Sequence, residues 1–528
     1  MPDVLFLEVN SSYSHSMLSY GMLRAYTEKF APEWHWHKLE FTIRNPDTAL
    51  LRKTLSELKP DVVCGTAYLF NVEALLGLCR IVREVLPKTR IALGGPEYPP
   101  ERECPPEADA VISGDETTFH WYLKNNAVLE GCYNGPLDDL PSPHQLGYIS
   151  PGKPFWQIET SRGCGGSCIF CTSSMSKRVA YYSPERIRDD LRALYEAGFR
   201  EIRVLDRTFN QQQKRAIELL RMFRTEFSEM RFHLEIEPSG LKPELLAELA
   251  LGNLHVEAGV QSLNPNVLAV CLRRDNVDRV LQGVRGLLEC GNFELHTDLI
   301  AGLPSQTLQS LVDDVKTMIH VQPHEIQLEL LKILPGTPLW STMSDFNPLP
   351  PYEVRSTLTM TAEDLHTAHR LSQILDNWYN TPQLHTSFTM AVRSDDNFLE
   401  RFLNAMKKRD ELFSGGKLLL EERFRLLKEF LADSPAHSVL RFAEIAVGLS
   451  RGDYRDKVIP DGGRVLWRKE VENTPERCIV AEFEGNAGEC FLDPRTTWKP
   501  GPRKYCFKLY YGRLPSEITA LDPETRPN

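Results

Sequence analysis

No stretch of the 528-residue chain approaches about 20 consecutive uncharged apolar residues, so no membrane-spanning helix is expected. The start, MPDVLFLEVNSS, lacks a basic region and a small-residue cleavage site, which points to a cytoplasmic protein. An excess of positive charge is also missing. Lys plus Arg number 61 against 72 Asp plus Glu, a net charge of −11, which argues against bulk nucleic-acid binding. Internal repeats and low-complexity tracts are absent. What is present is an ordinary globular balance, 42% apolar and 25% charged, over a length that suggests about three to four domains. The 12 cysteines of a long intracellular chain argue for metal or thiol chemistry at a few positions rather than a disulfide framework.

Residues 1–135 alternate apolar strands (Val4–Val9, Trp36–Phe41, Asp61–Gly65, Arg90–Gly94, Ala108–Ser113) with helical patterns such as Val72–Leu86. That alternation predicts an α/β, doubly wound parallel sheet whose ligands bind at the carboxyl ends of the strands. A Pro-, Gly-, Asp- and Ser-rich run covers a linker at 136–154. Residues 155–345 alternate again. Six strand candidates (Phe155–Thr160, Glu201–Leu205, Arg231–Ile236, His255–Val260, Glu294–Ile300, Glu325–Leu331) predict an open or partial barrel with its function at the carboxyl ends. One helix is well marked, with Ser183 as cap, Pro184 in the first turn and Gly198 as stop. From 346 to 528 the pattern turns mostly helical (Ala362–Trp378, Phe398–Lys408, Lys417–Leu431), ending in short strands and turns.

Cys164, Cys168 and Cys171 form a C-x3-C-x2-C cluster in ETSRGCGGSCIFC, directly after the first strand of the second region. Three thiolates on a Gly-rich loop can converge on one metal centre, and soft thiolates select iron–sulfur or zinc. A four-iron cluster usually takes four cysteines, so three leave one iron open, as a catalytic metal needs; a zinc site with a distant fourth ligand is the alternative. Cys64, Cys79, Cys271 and Cys290 sit in apolar elements and read as small core residues. Cys104 and Cys132 have no partner motif. Cys478, Cys490 and Cys506 match no compact ligand spacing.

With these residues in place the sequence resembles the radical S-adenosylmethionine (SAM) superfamily, whose signature is C-x3-C-x2-C after the first barrel strand. The resemblance implies a 4Fe–4S cluster on Cys164, Cys168 and Cys171, with SAM on the open iron and Phe170 near the adenine. It further implies SAM contacts from Asp206 in VLDRTFN, Glu235 in HLEIEPSG in preference to Glu237, Gln261 in EAGVQS, and Asp298 in HTDLIAGLP. Gly94-Gly95 with Pro96-Glu97, then SGDET, resemble the cobalamin-binding domain that precedes many radical SAM cores. YSHS, LDRTFN and LKILPGTPL carry a narrower likeness to a subgroup with an uncharacterised C-terminal domain. The usual D-x-H-x-x-G loop reads Tyr13-Ser14-His15-Ser16-Met17-Leu18 here, so cobalamin is expected without His15 as a cobalt ligand, since Tyr13 replaces the carboxylate that fixes the tautomer. Thr66 stands where the family often has a Ser near the nucleotide tail.

The implied chemistry is reductive SAM cleavage and cobalamin-dependent methyl transfer to an unactivated carbon or phosphorus of a small metabolite or peptide. An electron donor such as flavodoxin or ferredoxin is implied as partner. Substrate would lie between the two α/β regions, near Tyr13, Thr66 and Tyr98 on one side and Cys171 on the other. Transfer of a 3-amino-3-carboxypropyl group to a soft atom, or rearrangement or cyclisation, is the alternative within the same superfamily. A non-catalytic corrin-binding sensor is the alternative outside it.

Overall fold

Strand β1 (Asp3–Asn10) is buried at seven of its eight residues, as a strand in a parallel sheet covered by helices on both faces must be. The computed structural model describes residues 1–175, 178–273, 275–414, 416–431, 434–451, 458–459, 463–470, 476–510 and 517–521. Helix α1 (Leu18–Phe30), β2 (His35–Thr42), α2 (Thr48–Leu58), β3 (Val62–Thr66), α3 (Val72–Val85), β4 (Arg90–Gly94), β5 (Ala110–Ile112) and α4 (Glu116–Asn125) follow β1. The strands are all parallel, in the order β2-β1-β3-β4-β5. Leu5, Leu7 and Val9 pack against Leu51, Leu55, Leu75 and Leu78 of α2 and α3. The alternate residues Val4 and Phe6 pack against Tyr20, Phe119 and Tyr122 of α1 and α4. The direction of winding changes between β1 and β3, so a crevice opens at Asn10 and Thr66, where such sheets take their ligands.

The linker packs closely on helix α5 (Pro184–Glu196). Ser142 Oγ donates to Asp190 Oδ1 (2.5 Å), and the Leu140 carbonyl accepts from Arg186 Nη1 (2.7 Å). Ser183 Oγ caps α5 by accepting the Arg186 N–H, and Gly198 takes φ +93° just beyond its end, as the sequence predicts. His144 is enclosed beside this contact, and burial pushes its imidazole down to about 4. A histidine held neutral in the fold but free to protonate when unfolded adds stability above pH 6.5 that is lost as pH falls from 6.5 toward 4. His144→Gln should therefore flatten the stability of the protein across that interval. Urea midpoints measured at pH 7, 6 and 5 for both proteins check this, and parallel curves would reject it.

The second sheet contains β6 (Trp156–Ile158), β9 (Glu201–Val204), β10 (Arg231–Ile236), β11 (Leu254–Gln261) and β12 (Glu294–Ala301), in the order β12-β11-β10-β9-β6, and the strand β13 (Glu325–Leu330) follows in the chain. A short antiparallel pair, β7 (Ser161–Arg162) with β8 (Ala180–Tyr181), flanks the cysteine loop. Helices α6 (Gln213–Glu226), α7 (Pro243–Leu249), α8 (Pro265–Val270), α9 (Val277–Cys290) and α10 (Leu308–Val321) alternate with the strands. In β10, β11 and β12 every second residue is buried, and apolar except for Thr297, while the residues between are more exposed and largely polar. One face therefore meets the helices and the other lines a polar lumen.

The chain forms two compact units. The first comprises Met1–Thr307 and Leu330–Ala362, and so holds the N-terminal sheet and β6 to β12. The second comprises Leu308–Glu329 and Glu363–Asn528. In the latter, an antiparallel sheet of β14 (Val458–Ile459), β15 (Gly463–Glu470), β16 (Glu476–Glu484), β17 (Pro502–Tyr510) and β18 (Glu517–Leu521) follows a run of helices. The helix expected over Ala362–Trp378 keeps ordinary turns only to Ile374. Leu375–Tyr379 widens into a π-turn, with Trp378 and Tyr379 fully buried. Helices Pro382–Ser394 and Pro435–Arg451 lie outside the helical runs expected from sequence. Cys490 is a core residue of this unit beside Phe442 and Tyr505, and the side chain of Cys478 lies outside the described residues. Among the described residues, no helix is long and apolar enough to cross a membrane.

Candidate active site

The cysteine loop leaves β7 through Gly163, whose φ of +94° suits glycine, and a Cβ there would sit 2.1 Å from the Arg178 carbonyl. Gly166 N–H points at Cys164 Sγ (3.3 Å), and a Cβ built on Gly166 would lie 3.3 Å from Cys164 Sγ and 4.0 Å from Cys168 Sγ. Both sulphurs thus crowd one point. Ser174 Oγ closes the second half of the loop, at 2.7 Å from the carbonyls of both Cys168 and Cys171. Ile169 N–H donates to the Cys271 carbonyl (3.2 Å) and its own carbonyl accepts from Leu339 N–H (3.3 Å), which pins the loop to the barrel rim. All three thiols are partly exposed, and Phe170 is half-buried between the second and third. Burial raises the Cys168 thiol and Arg273 pulls it back, so a metal centre would have to displace its proton. A converging soft donor set with one face open fits an iron–sulfur cluster.

Asp206 has a task other than the SAM contact expected of it. It is 3% exposed, and both oxygens are taken by the turn that leads into the cysteine loop. Oδ1 accepts from Thr160 N–H (2.7 Å) and Ser161 N–H (2.9 Å), and Oδ2 from Thr160 Oγ1 and Ser161 Oγ (2.6 Å each). Its carboxylate locks the end of β9 to the start of the loop, which leaves no lone pair directed at a ligand.

Glu235 faces the lumen opposite Glu257 of β11, and burial raises its pKa against the pull of Arg207. Glu237, two residues on, caps Ser239 N–H (2.7 Å), and burial followed by Asp275 pushes its carboxyl up. Gln261 ends β11 just past a bulge, with φ +67°, a left-handed conformation unusual outside glycine. Asp298 pairs in register with Gly259 across β11 and β12. Sequence reasoning missed Arg273. Its guanidinium pairs with Asp275, donates to the Gly259 carbonyl (2.5 Å) and acts on the Cys168 thiol, so a fixed cation lies at the rim between the cysteines and Glu237. A sequence signal existed in LRRDN, just after the fourth strand, but a basic pair in a loop reads as a solvated one.

On the N-terminal side, Gly95 turns with φ +102°, and a Cβ there would come within 2.5 Å of the Ala67 carbonyl, so only glycine permits this approach. Thr66, Gly94 and Gly95 line a cavity of about 450 Å³ together with Gly65, Ile112 and Phe119. The cavity continues to Glu159, Arg162 and Gly163, the residue next to Cys164. Thr66 Oγ1 donates to Ser19 Oγ (2.9 Å) at its wall. A largely apolar cleft of this size, opening at the carboxyl ends of parallel strands, fits the nucleotide end of a corrin.

Tyr13 is 75% exposed, and its carbonyl accepts from Lys153 Nζ (2.7 Å). His15 stands edge-on to Phe155 of the barrel at 5.2 Å, and its Nδ1 lies 2.8 Å from Ser12 Oγ. A hydroxyl both donates and accepts, so Ser12 does not fix the tautomer as a carboxylate would. Burial, then Arg203 and Lys153, lower the His15 pKa. Tyr98 is 3% exposed in the core beneath the sheet, not on the open face expected for it.

Residues 158–318 match the radical SAM superfamily, and residues 344–446 match a protein family of unknown function, DUF4080. The chain is 28% identical over 326 residues to an uncharacterized methyltransferase, PH0819, of Pyrococcus horikoshii, covering 55% of this chain and 71% of that one. It is 24% identical to the cobalamin-dependent radical SAM methyltransferase TokK of Streptomyces tokunonensis, over 64% of this chain and 56% of the other, so it spans little more than half of that relative. Among solved structures it resembles the cobalamin-dependent SAM radical enzyme OxsB with aqua-cobalamin and SAM bound. The TM-score is 0.58 at 14% identity, with 86% of this chain and 82% of that chain covered. This likeness shows the fold, a doubly wound domain ahead of a partial barrel.

Proposed function

Because residues 158–318 place this chain in the radical SAM superfamily of enzymes, whose members hold a four-iron four-sulfur cluster and SAM, we propose that it is a cobalamin-dependent methyltransferase. The acceptor is an unactivated carbon or phosphorus of a small metabolite or peptide, and a flavodoxin or ferredoxin supplies electrons. The observation that carries this reading is the cavity that runs from Thr66, Gly94 and Gly95 to Gly163 beside Cys164. It brings the ligand end of the N-terminal sheet up to the cysteine loop, as near contact between two cofactors requires. Residues 1–135 serve as the corrin-binding part, 155–345 as the SAM-cleaving barrel and 346–528 as the substrate or accessory part.

When bound, the cluster supplies the electron that cleaves SAM and the corrin supplies the methyl group. The chain's own residues bind and orient. Cys164, Cys168 and Cys171 hold iron. Phe170, Glu235, Gln261 and Asp298 line the SAM side, and Arg273 offers a cation for a carboxylate at the rim. Thr66, Gly94 and Gly95 form the slot for the nucleotide tail. Tyr13 and His15 would border the corrin face, with His15 Nδ1 beside Ser12 Oγ and, in this reading, its ring not a cobalt ligand.

Anaerobic reconstitution with SAM, cobalamin and a reductant, followed by mass spectrometry, tests the reaction. S-adenosylhomocysteine together with 5′-deoxyadenosine is the expected product pair. Methylthioadenosine would reject methylation in favour of aminocarboxypropyl transfer, and bound cobalamin without SAM cleavage would favour a sensor. Thr66→Phe fills the slot and should weaken cobalamin retention at least about ten-fold while iron content stays unchanged. Equal cobalamin retention would show that the slot does not hold the corrin. His15→Ala should leave the visible spectrum of bound cobalamin as in the parent protein, and a shifted spectrum would make His15 a cobalt ligand.

A further inference from the structure

The lumen of the barrel carries a second constellation, in the amino-terminal halves of β10, β11 and β12 rather than at their carboxyl ends. His233, His255 and His296 stand there on three successive strands. His255 Nε2 lies 3.0 Å from His296 Nε2. One oxygen of Glu294 and one nitrogen each of His255 and His296 all fall within 4.8 Å of one another. We infer that His255, His296 and Glu294 form a binding site for a divalent cation of borderline softness, zinc being the ion that suits them best.

Three features support a ligand set over a chance cluster. The first is spacing. Zinc–nitrogen bonds of about 2.05 Å in a tetrahedral centre put two imidazole nitrogens about 3.3 Å apart, so 3.0 Å needs only a small opening. The second is the outer partner. A metal-bound imidazole donates its other N–H to a carboxylate or another acceptor, which fixes its tautomer and orientation. His255 Nδ1 lies 2.8 Å from His233 Nδ1, and His233 Nε2 lies 3.2 Å from Glu257 Oε2. The carboxylate of Glu257 orders the proton positions along this line. His233 donates from Nε2, accepts at Nδ1 from His255 Nδ1–H, and leaves the Nε2 lone pair of His255 facing His296. The third is the carboxylate, which is positioned by Arg231 Nη2 donating to its Oε2 at 2.9 Å.

Two imidazoles and one carboxylate leave a fourth position for water, the donor set of zinc or of a non-haem divalent metal. Without the metal one proton lies between His255 and His296. Zinc takes its place, the His296 proton passing through solvent from Nε2 to Nδ1, so that both rings stay neutral and both Nε2 lone pairs face the ion. The bound ion ties β11 to β12 at the end of the barrel opposite the cysteine loop.

The test counts metals and does not depend on SAM cleavage. Full-length protein, reconstituted anaerobically with iron and sulfide and passed over a chelating resin, is given Zn2+, desalted and analysed for iron and zinc by mass spectrometry. One zinc per chain beyond the iron content is expected. His255→Gln and His296→Gln should each weaken zinc retention about 100-fold or more. His233→Gln, which removes only the outer partner, should cost about 10-fold. Glu294 is exposed at the rim, so Glu294→Gln keeps the fold and should also lose zinc. Iron content should be equal in all five proteins. A parent protein that keeps no zinc, or a His255→Gln/His296→Gln protein that keeps as much as the parent, overturns the site and leaves a hydrogen-bonded imidazole chain.

Discussion

Replacing Cys164, Cys168 or Cys171 singly with alanine is expected to abolish SAM cleavage, by more than about 10³-fold, the equivalent of about 4 kcal/mol in the barrier. The cause is arithmetic of ligands. The loop offers three thiolates to a four-iron cluster, and the fourth iron has to stay open for SAM. Two thiolates no longer hold the cluster, so iron content falls together with activity. The loop gives no substitute. Cys271, the nearest other cysteine along this rim, is buried, burial pushes its thiol up to about 12, and its backbone carbonyl already anchors Ile169. Cys104→Ser, at an exposed position away from the loop, is the control and should match the parent protein in iron and in 5′-deoxyadenosine formed. A Cys168→Ala protein with full iron and full SAM cleavage would end the cluster assignment.

Asp206→Ala is expected to have the next largest effect, through stability. The substitution leaves two buried backbone N–H groups and two hydroxyls of Thr160 and Ser161 without their acceptor. Each orphaned donor costs on the order of 1–3 kcal/mol where water cannot reach it, and partial relaxation brings the sum to about 4 kcal/mol. The damage is local to the turn that precedes Cys164, so a lower urea midpoint should come with poor iron incorporation. Asp206→Asn keeps the shape but offers one acceptor oxygen and turns two N–H donors toward donors, so it should recover only part of the loss. Full stability and full iron in Asp206→Ala would show that the turn holds itself.

Much of this architecture is legible in the sequence because its signals are local. Ser183-Pro184 starts a helix and Gly198 ends it in a few residues of chain. Three cysteines within eight positions announce their chemistry without any fold. Asp206 shows where locality stops. A strand-end aspartate looks the same in sequence whether it faces a ligand or folds back onto Thr160 and Ser161, and the backbone turn decides. His233, His255 and His296 are farther beyond reach. They are separated by 22 and 41 positions, and only parallel registration of three strands makes them neighbours. In the second unit, Pro435–Arg451 keeps apolar residues at helical spacing (Val439, Phe442, Ala443, Ala446), a local signal that the sequence reading passes over. The break at Leu375–Tyr379 arises from burying Trp378 and Tyr379 together, a demand of packing rather than of local preference.

The imidazole column has a consequence for how the barrel finds its alignment. In β11 the residues that face the lumen, His255 and Glu257, alternate with Val256 and Ala258, which face the helices. A slip of one position along the neighbouring strands would turn all four over. It would press an imidazole and a carboxylate into the helix layer, at several kcal/mol for the charge alone, and strand two apolar residues in a polar channel. Misalignment by a single step is thereby ruled out for the central strands, and the same polar ladder that crosses the channel works as a ratchet tooth during assembly of the sheet.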